Sequence, residues 1–257
     1  METPDSTTNA VIITGGGSGI GQTISMTLAL SYALLLVGRT ETSLRRTCAA
    51  IRHNGGRAAY LVGDVANEHT ASRAVERVQQ LGWRLQAVIC NAGVGKSSRT
   101  HELSSAQWQK TFATNVHGSF YFAQAVLPIF MQQHFGTICF INSLAGIKGY
   151  AYDAAYVASK HAIVGLSKSL ALEYGKYGIS SVAICPGFVE SSMTDRTIQS
   201  VASRKGTTTS EARRIVERTN PQRRIIPAQE VSEIVNLVCS NKVPSLAGNP
   251  LILSGGA

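Results

Sequence analysis

Ala10-Val-Ile-Ile-Thr14-Gly-Gly-Gly-Ser-Gly19-Ile-Gly21, followed by the stretch Gln22 to Ser31, decides the fold. Residues 10–14 form a short continuous apolar run, the pattern of a strand buried on both faces. A glycine turn follows at once, and then a helix-like segment. Strand, glycine turn and helix together are what a dinucleotide site requires. Glycines permit the tight turn and let the backbone approach a pyrophosphate, while the helix amino terminus offers free N–H groups and a positive dipole end. The residues placed at such a site are Gly15, Ser18, Gly19, Ile20 and Gly21; a flexible loop is the plain alternative.

Further along, the same alternation repeats. Strands are expected at 33–37, 57–62, 85–90, 136–143 and 180–185, with helices between them, including 41–54, one long helix over 104–133 weakened at Pro128, and 153–174. Repeated strand–helix units predict an α/β fold, a doubly wound parallel sheet of Rossmann type in a single domain. Ligands of open α/β sheets sit outside the carboxyl ends of the strands. The second strand ends in Gly38-Arg39-Thr40. An arginine there suits a 2′-phosphate, because guanidinium binds phosphate oxygens in bidentate fashion. NADP(H) is therefore expected ahead of NAD(H). Asp64-Val65 closes the third strand, where the carboxylate could accept a bond from an adenine amino group or cap the next helix, a job Asn67 could equally do. Asn91-Ala92-Gly93 follows the fourth strand with small residues that leave room for a flat ligand.

The chemistry is expected in Ser143 to Lys160, whose centre is Tyr156-Val-Ala-Ser-Lys160. On a helix, residues four apart share a face, so phenol and ammonium lie one turn apart. A neighbouring cation favours phenolate and would pull the tyrosine pKa down from about 10. A tyrosine so tuned can exchange a proton with an alcohol or carbonyl oxygen. A half-buried tyrosine beside an ordinary surface lysine fits the same letters. Ser143 ends the fifth strand and should converge with the glycine turn and Asn91. Asn115, inside the long helix, has no claim of its own.

Composition bounds the rest. The chain has 257 residues, 44% hydrophobic and 15% charged, with a net charge of +9. That is enough apolar content for a substantial core. Five widely spaced cysteines with no Cys-x-x-Cys pair suggest reduced thiols and no zinc or other metal site, hence a cytoplasmic protein. Residues 1–9 are polar, without a signal-peptide pattern, and are expected to form a flexible tail before a catalytic domain at 10–257. No apolar run is long enough to span a bilayer.

Taken together, Thr14-Gly-x-x-x-Gly19-x-Gly21, Asp64, Asn91-Ala-Gly93, Asn115, Ser143, Tyr156-x-x-x-Lys160 and Pro186-Gly187 stand in the order and near the spacing of the classical short-chain dehydrogenases/reductases, which the chain resembles from about residue 10 to its end. Cys185-Pro-Gly-Phe-Val-Glu190 and Ser159-Lys-His161 are similar to the β-ketoacyl-carrier-protein and polyketide ketoreductases. There are departures: Cys90 precedes Asn91 where the family has a second asparagine, Ser254-Gly-Gly replaces Asp-Gly-Gly, and Ser18 is not the basic residue of many NADP(H) members. The resemblance implies Asn115, Ser143, Tyr156 and Lys160 as the catalytic set. Tyr156 would act as general acid, Ser143 would orient the carbonyl oxygen, and Lys160 would lower the tyrosine pKa and bind ribose hydroxyls. Asn115 would distort its helix and hold a relay water. Tyr156, Lys160, Pro186, Gly187, Val189 and Ser191 would join the cofactor site, and a homotetramer or homodimer is implied. Small residues at Ala158, Ala162 and Gly165 would permit close packing between subunits.

Residues 191–226 fall where this fold carries a substrate lid. They hold Arg196, Arg204, Lys205, Arg213, Arg214, Arg218, Arg223 and Arg224 against Asp195, Glu211 and Glu217. This is either a solvated helix face or a patch that steers an anionic substrate, such as a carrier-bound acyl thioester. Aromatic residues are not interleaved, which argues against nucleic acid; no membrane partner is expected either. The expected function is NADPH-dependent reduction of a ketone or 3-oxoacyl group. Alternatives are an NAD-dependent alcohol or hydroxysteroid dehydrogenase, a non-catalytic dinucleotide-sensing regulator on the same fold, and, more distantly, a basic RNA-binding module.

Overall fold

The computed structural model describes residues 8–257. Of the expected tail 1–9, residues 1–7 lie outside the described residues, and Asn9 already belongs to the first strand. The strands are β1 (Asn9–Thr14), β2 (Ala33–Gly38), β3 (Ala58–Val62), β4 (Arg84–Cys90), β5 (Gly136–Ile141), β6 (Ile179–Pro186) and β7 (Pro250–Leu253). They form one parallel sheet in the order β3-β2-β1-β4-β5-β6-β7. The chain crosses over between β1 and β4, so the sheet reverses its winding there and opens a crevice at the carboxyl ends of these two strands.

Alternation along β1 shows how the sheet is buried on both faces. Ala10 and Ile12 join a cluster with Phe122, Val126, Phe130 and Ile163, whereas Val11 and Ile13 join Ile24, Leu28, Leu44 and Val235. Successive side chains point to opposite faces, so one apolar run fills two cores. The first core is capped by α3 (Glu68–Gln80), α5 (Gly118–Gln133) and α6 (Ala154–Tyr174). The second lies under α1 (Gly19–Leu28), α2 (Glu41–His53) and α9 (Ala228–Cys239). Two further helices, α7 (Ser192–Lys205) and α8 (Thr209–Glu217), stand over the carboxyl ends of the strands with a small apolar cluster of their own, Ile198, Ala212, Val216 and Ile225.

Three expectations need correction. The long helix over 104–133 is interrupted: α4 (Ser105–Phe112) passes into a π-turn, Ala113–His117, before α5. Pro128 sits inside α5 without ending it. The glycine-turn helix starts at Gly19, three residues before the expected Gln22, and ends at Leu28. Glycine's low helix propensity hides that start from a sequence pattern. The sheet also has a seventh strand. β7 is four residues long and opens on a proline, so nothing in its letters announces a strand.

Candidate active site

Two adjoining clefts lie at the carboxyl ends of the strands. The first, of about 380 Å³, is lined by the glycine turn (Gly15, Ser18, Gly19, Ile20, Gly21), Arg39, Asp64, Val65, Asn91, Ala92, Gly93 and Ser191. The second, of about 540 Å³, is lined by Ser143, Tyr156, Pro186, Gly187, Val189 and again Ser191. Both volumes lie in the usual range for small-molecule sites. Ile20, Ser191, Met193 and Arg196 border both clefts, so the two communicate at the start of α7.

The glycine turn is built for close approach of a ligand. Gly15 and Gly19 have φ of +67° and +52°. Space beside the Gly19 Cα is open, while a Cβ on Gly21 would stand 2.2 Å from the Gly15 carbonyl oxygen. The first bond into α1 runs from the Gln22 N–H to the Ser18 carbonyl at 3.1 Å. The amides before it have no intrahelical partner. Thr14 Oγ1 accepts from the backbone N–H groups of Asn91 and Ala92 at 2.9 and 3.0 Å, and the Asn91 amide donates to Thr14 O at 2.9 Å. These bonds lock β4 to β1 beneath the turn. A phosphate-bearing dinucleotide fits this cradle: a positive helix end, bare backbone and Arg39 face one cleft.

Arg39 and Asp64 both line the first cleft, with 3.9 Å between guanidinium nitrogen and carboxylate oxygen. Asp64 also accepts from the Ala66 N–H. The cap of α3 is Asn67, which accepts from the His69 N–H at 3.0 Å, so Asp64 is not needed there.

At the other end, α6 carries Tyr156 into the second cleft beside Ser143, which stands just past β5. Asn115 and Lys160 do not line the clefts; they lie beneath them, 2% and 6% exposed. The Asn115 side chain is a clamp. It accepts from the Val94 N–H at 2.8 Å and donates to Val94 O at 2.9 Å and to Ser159 Oγ at 3.0 Å. Its residue sits at the middle of the π-turn, a distortion found mostly at functional sites. Lys160 directs its ammonium to the Ile141 carbonyl at 2.8 Å, with Nζ 5.6 Å from the centre of the Tyr156 ring.

The electrostatics differ from the sequence expectation. Burial pushes the Tyr156 phenol up to about 12; the Ser143 hydroxyl opposes this, and Asp153 and Tyr150 add to it. Burial pulls Lys160 down to about 8, against a small opposing effect of Cys185. Desolvation of both groups outweighs the attraction that one-turn spacing alone suggests, because each charged form loses water. The chain's own atoms therefore keep the phenol protonated rather than tuning it toward neutral pH.

Sequence reasoning missed several lining residues. Ser43 and Thr114 border the first cleft, Lys96, Ser97, Asp153 and Phe188 the second, and Met193 and Arg196 border both. Ser43, Met193 and Arg196 come from the beginnings of α2 and α7, Thr114 from the π-turn and the rest from loops; only Phe188 and Asp153 fall within a motif-bearing stretch named above. Among the lid bases, Arg213 pairs with Glu217, Arg224 with Glu230, and Arg204 lies 4.7 Å over the Tyr152 ring. Of the eight, Arg196 alone lines the clefts. The five cysteines are free and buried. Among the described residues no cluster of His, Cys, Asp or Glu could hold a metal ion, and no helix is long and apolar enough to cross a membrane.

Comparison with known proteins agrees with this architecture. The short chain dehydrogenase family model matches residues 9–202. The chain is 32% identical over 196 residues to a 3β-hydroxysteroid dehydrogenase of Mediterraneibacter gnavus, covering 76% of this chain and 71% of the relative. It is 30% identical over 254 residues to levodione reductase of Leifsonia aquatica, covering 97% and 94%. The crystal structure of an actinorhodin polyketide ketoreductase variant with NADPH superposes with a TM-score of 0.93 at 29% identity, covering 100% of this chain and 98% of that one. The fold, the two clefts and these relatives together make the chain an oxidoreductase that belongs to the short-chain dehydrogenase/reductase family.

Proposed function

We propose that this enzyme reduces a ketone or 3-oxoacyl group to the secondary alcohol with NADPH, using Tyr156 as general acid. One observation carries the reading: the Tyr156 phenol stands beside Ser143 in the second cleft, which communicates with the glycine-lined first cleft, so a protonated donor faces the space next to the dinucleotide cradle. NADPH bound in the first cleft would supply the hydride. Gly15, Ser18, Gly19, Ile20 and Gly21 would hold its pyrophosphate, Arg39 its 2′-phosphate, and Asp64 and Val65 its adenine. Asn91, Ala92, Gly93, Pro186, Gly187, Val189 and Ser191 would enclose the nicotinamide half.

In this reading Ser143 donates to the substrate carbonyl oxygen and orients it toward Tyr156. Lys160 has three N–H donors and spends one on Ile141 O, which leaves two for ribose hydroxyls. Asn115 holds the Val94 loop and Ser159 in place, and a proton path past it from Lys160 to solvent would reload the tyrosine. The α7–α8 segment acts as the lid, held to the loop before α6 by Arg204 and Tyr152, and Arg196 is the one lid base placed to meet an anionic group. Assembly into a homotetramer or homodimer is supported by the outward, open side of Gly165 and by Leu172, 87% exposed on the same helix.

The test is Tyr156→Phe with NADPH and a panel of ketones and 3-oxoacyl thioesters. Turnover should fall by about 10²–10⁴-fold, the usual contribution of a positioned acid, with NADPH affinity retained within about threefold. Unchanged turnover would remove Tyr156 from the reaction. Failure of the wild type to bind either NADPH or NADH would instead favour a role without catalysis.

A further inference from the structure

Asp153 is a carboxylate that the reaction described above does not use. It stands at the amino end of α6, three positions before Tyr156, and lines the second cleft with Ser143 and Tyr156. It also borders a smaller chamber behind them, lined by Tyr150, Phe188 and Asn220 among others. An aspartate at this point of a helix ordinarily accepts from the N–H groups of the first turn. Asp153 does not: with φ of −120° and ψ of 31°, its side chain makes no capping bond.

Instead it turns to the cleft, where Oδ1 accepts from Ser97 Oγ at 2.6 Å. Among the described residues it has no arginine or lysine within ion-pair distance and no second side-chain partner. An ionised carboxylate can accept about four hydrogen bonds. Ser97 provides one. The residue is half-buried, so its remaining acceptor capacity faces the space a substrate enters, and a half-buried anion left unpaired there is costly.

We infer that Asp153 determines specificity by accepting a hydrogen bond from a hydroxyl group of the substrate, so that the enzyme selects ketones with a hydroxyl on a carbon next to the carbonyl or one removed. The inference rests on the ketone-reductase reading of the same cleft. Placement supports the position of the hydroxyl. Asp153 and Tyr156 border the same cleft, and the carboxylate is near enough to the phenol to act on it electrostatically, so a carbonyl oxygen on Tyr156 and a hydroxyl one or two carbons away can meet both. The chemistry supports the class of group. A carboxylate acceptor rewards a donor, leaves an unsubstituted alkyl chain facing an unpaired charge, and repels a substrate carboxylate or phosphate at the same place.

The Ser97 contact has a second possible purpose, since it ties the loop after β4 to α6 next to the bond from the Ser98 N–H to Tyr152 O at 2.8 Å. Selectivity separates the two. The experiment compares kcat/KM for cyclohexanone and 2-hydroxycyclohexanone, with NADPH, in the wild type, Asp153→Leu, Asp153→Asn and Ser97→Ala, each checked for folding by circular dichroism. The wild type should prefer the hydroxyketone by about 10–100-fold, a half-buried version of the larger discrimination that fully enclosed hydroxyl sites reach. Asp153→Leu should erase the preference mainly through KM of the hydroxyketone, and Asp153→Asn, which keeps an acceptor, should restore part of it. Ser97→Ala should keep the preference. Equal losses on both ketones in Asp153→Leu and Ser97→Ala would make the pair a tether and overturn the inference. A wild type that favours neither ketone would also overturn it while leaving the reductase reading intact. A wild type that binds NADPH but reduces no ketone at all would overturn both.

Discussion

The Arg39 guanidinium lies 3.9 Å from the Asp64 carboxylate across the mouth of the first cleft, both side chains about half exposed or more. The two residues stand at the carboxyl ends of adjacent strands, β2 and β3, and their pairing keeps the guanidinium extended along the rim. An exposed ion pair of this kind is worth less than about 1 kcal/mol. Arg39 can therefore turn toward a phosphate at little cost.

Arg39→Asp should weaken NADPH binding by at least about tenfold, or 1.4 kcal/mol, and change NADH binding much less. Asp64→Asn should leave NADPH affinity unchanged or slightly tighter, since it frees the guanidinium. Fluorescence titration of both cofactors into the three proteins reads the difference. Equal loss of NADPH and NADH in Arg39→Asp would mean that Arg39 does not read the 2′-phosphate.

Lys160 makes stability depend on pH. Its pKa falls from about 10.5 in the unfolded chain to about 8 in the folded one. Between those values the unfolded chain binds more protons at this group, so its contribution to stability rises as pH increases from 8 toward 10.5. The full gain is on the order of 3 kcal/mol. Tyr156, shifted upward, acts in the opposite direction only above pH 10. Burial pushes the thiols of Cys90, Cys139, Cys185 and Cys239 up, so they lower stability as pH passes about 8.5. Urea unfolding of the cofactor-free wild type and Lys160→Met at pH 7.5, 8.5 and 9.5 cancels that common loss, and the wild type should gain on the variant as pH rises. A difference between wild type and Lys160→Met that stays constant over that range would show that Lys160 is not desolvated as described.

Asn115→Ala should destabilise the fold by roughly 1–3 kcal/mol, because it removes the partner of the partly buried Val94 N–H and carbonyl and of Ser159 Oγ. Asn115→Asp keeps an acceptor for the Val94 N–H but loses both donated bonds, and should fall in between. Chemical denaturation measures both. A change under about 0.5 kcal/mol in Asn115→Ala would mean that the π-turn holds without its clamp.

Gly21→Ala places a methyl group 2.2 Å from the Gly15 carbonyl, so the turn must open. Loss of NADPH binding with a lower Tm is expected. Gly175→Ala, where a Cβ meets nothing within 4 Å, serves as the control and should be close to neutral. Full NADPH affinity in Gly21→Ala would show that the cradle is not the phosphate site.

The alternation of buried strands and helices was legible because both faces of a parallel sheet are covered, which makes β1 and β2 read as nearly continuous apolar runs. The elements that escaped carry weak local signals. β7 is short and begins with proline, and α1 starts inside a glycine cluster. The π-turn is imposed on an otherwise helical stretch by bonds from Asn115 to Val94 and Ser159, which are distant in the chain. Of the residues named for the site from their motifs, the structure gathers all but Asn115 and Lys160 on the cleft walls and sets those two directly beneath.

The sequence by itself determined the layered α/β architecture, the glycine cradle and the one-turn spacing of Tyr156 and Lys160, because periodicity and short-range geometry are written in neighbouring letters. Only the tertiary structure decided that burial outweighs their mutual attraction, that Arg39 meets Asp64, and that Asp153 faces the substrate cleft. Desolvation depends on what the rest of the chain packs around a group, and an ion pair or a hydrogen bond between distant segments exists only once the sheet has set their separation.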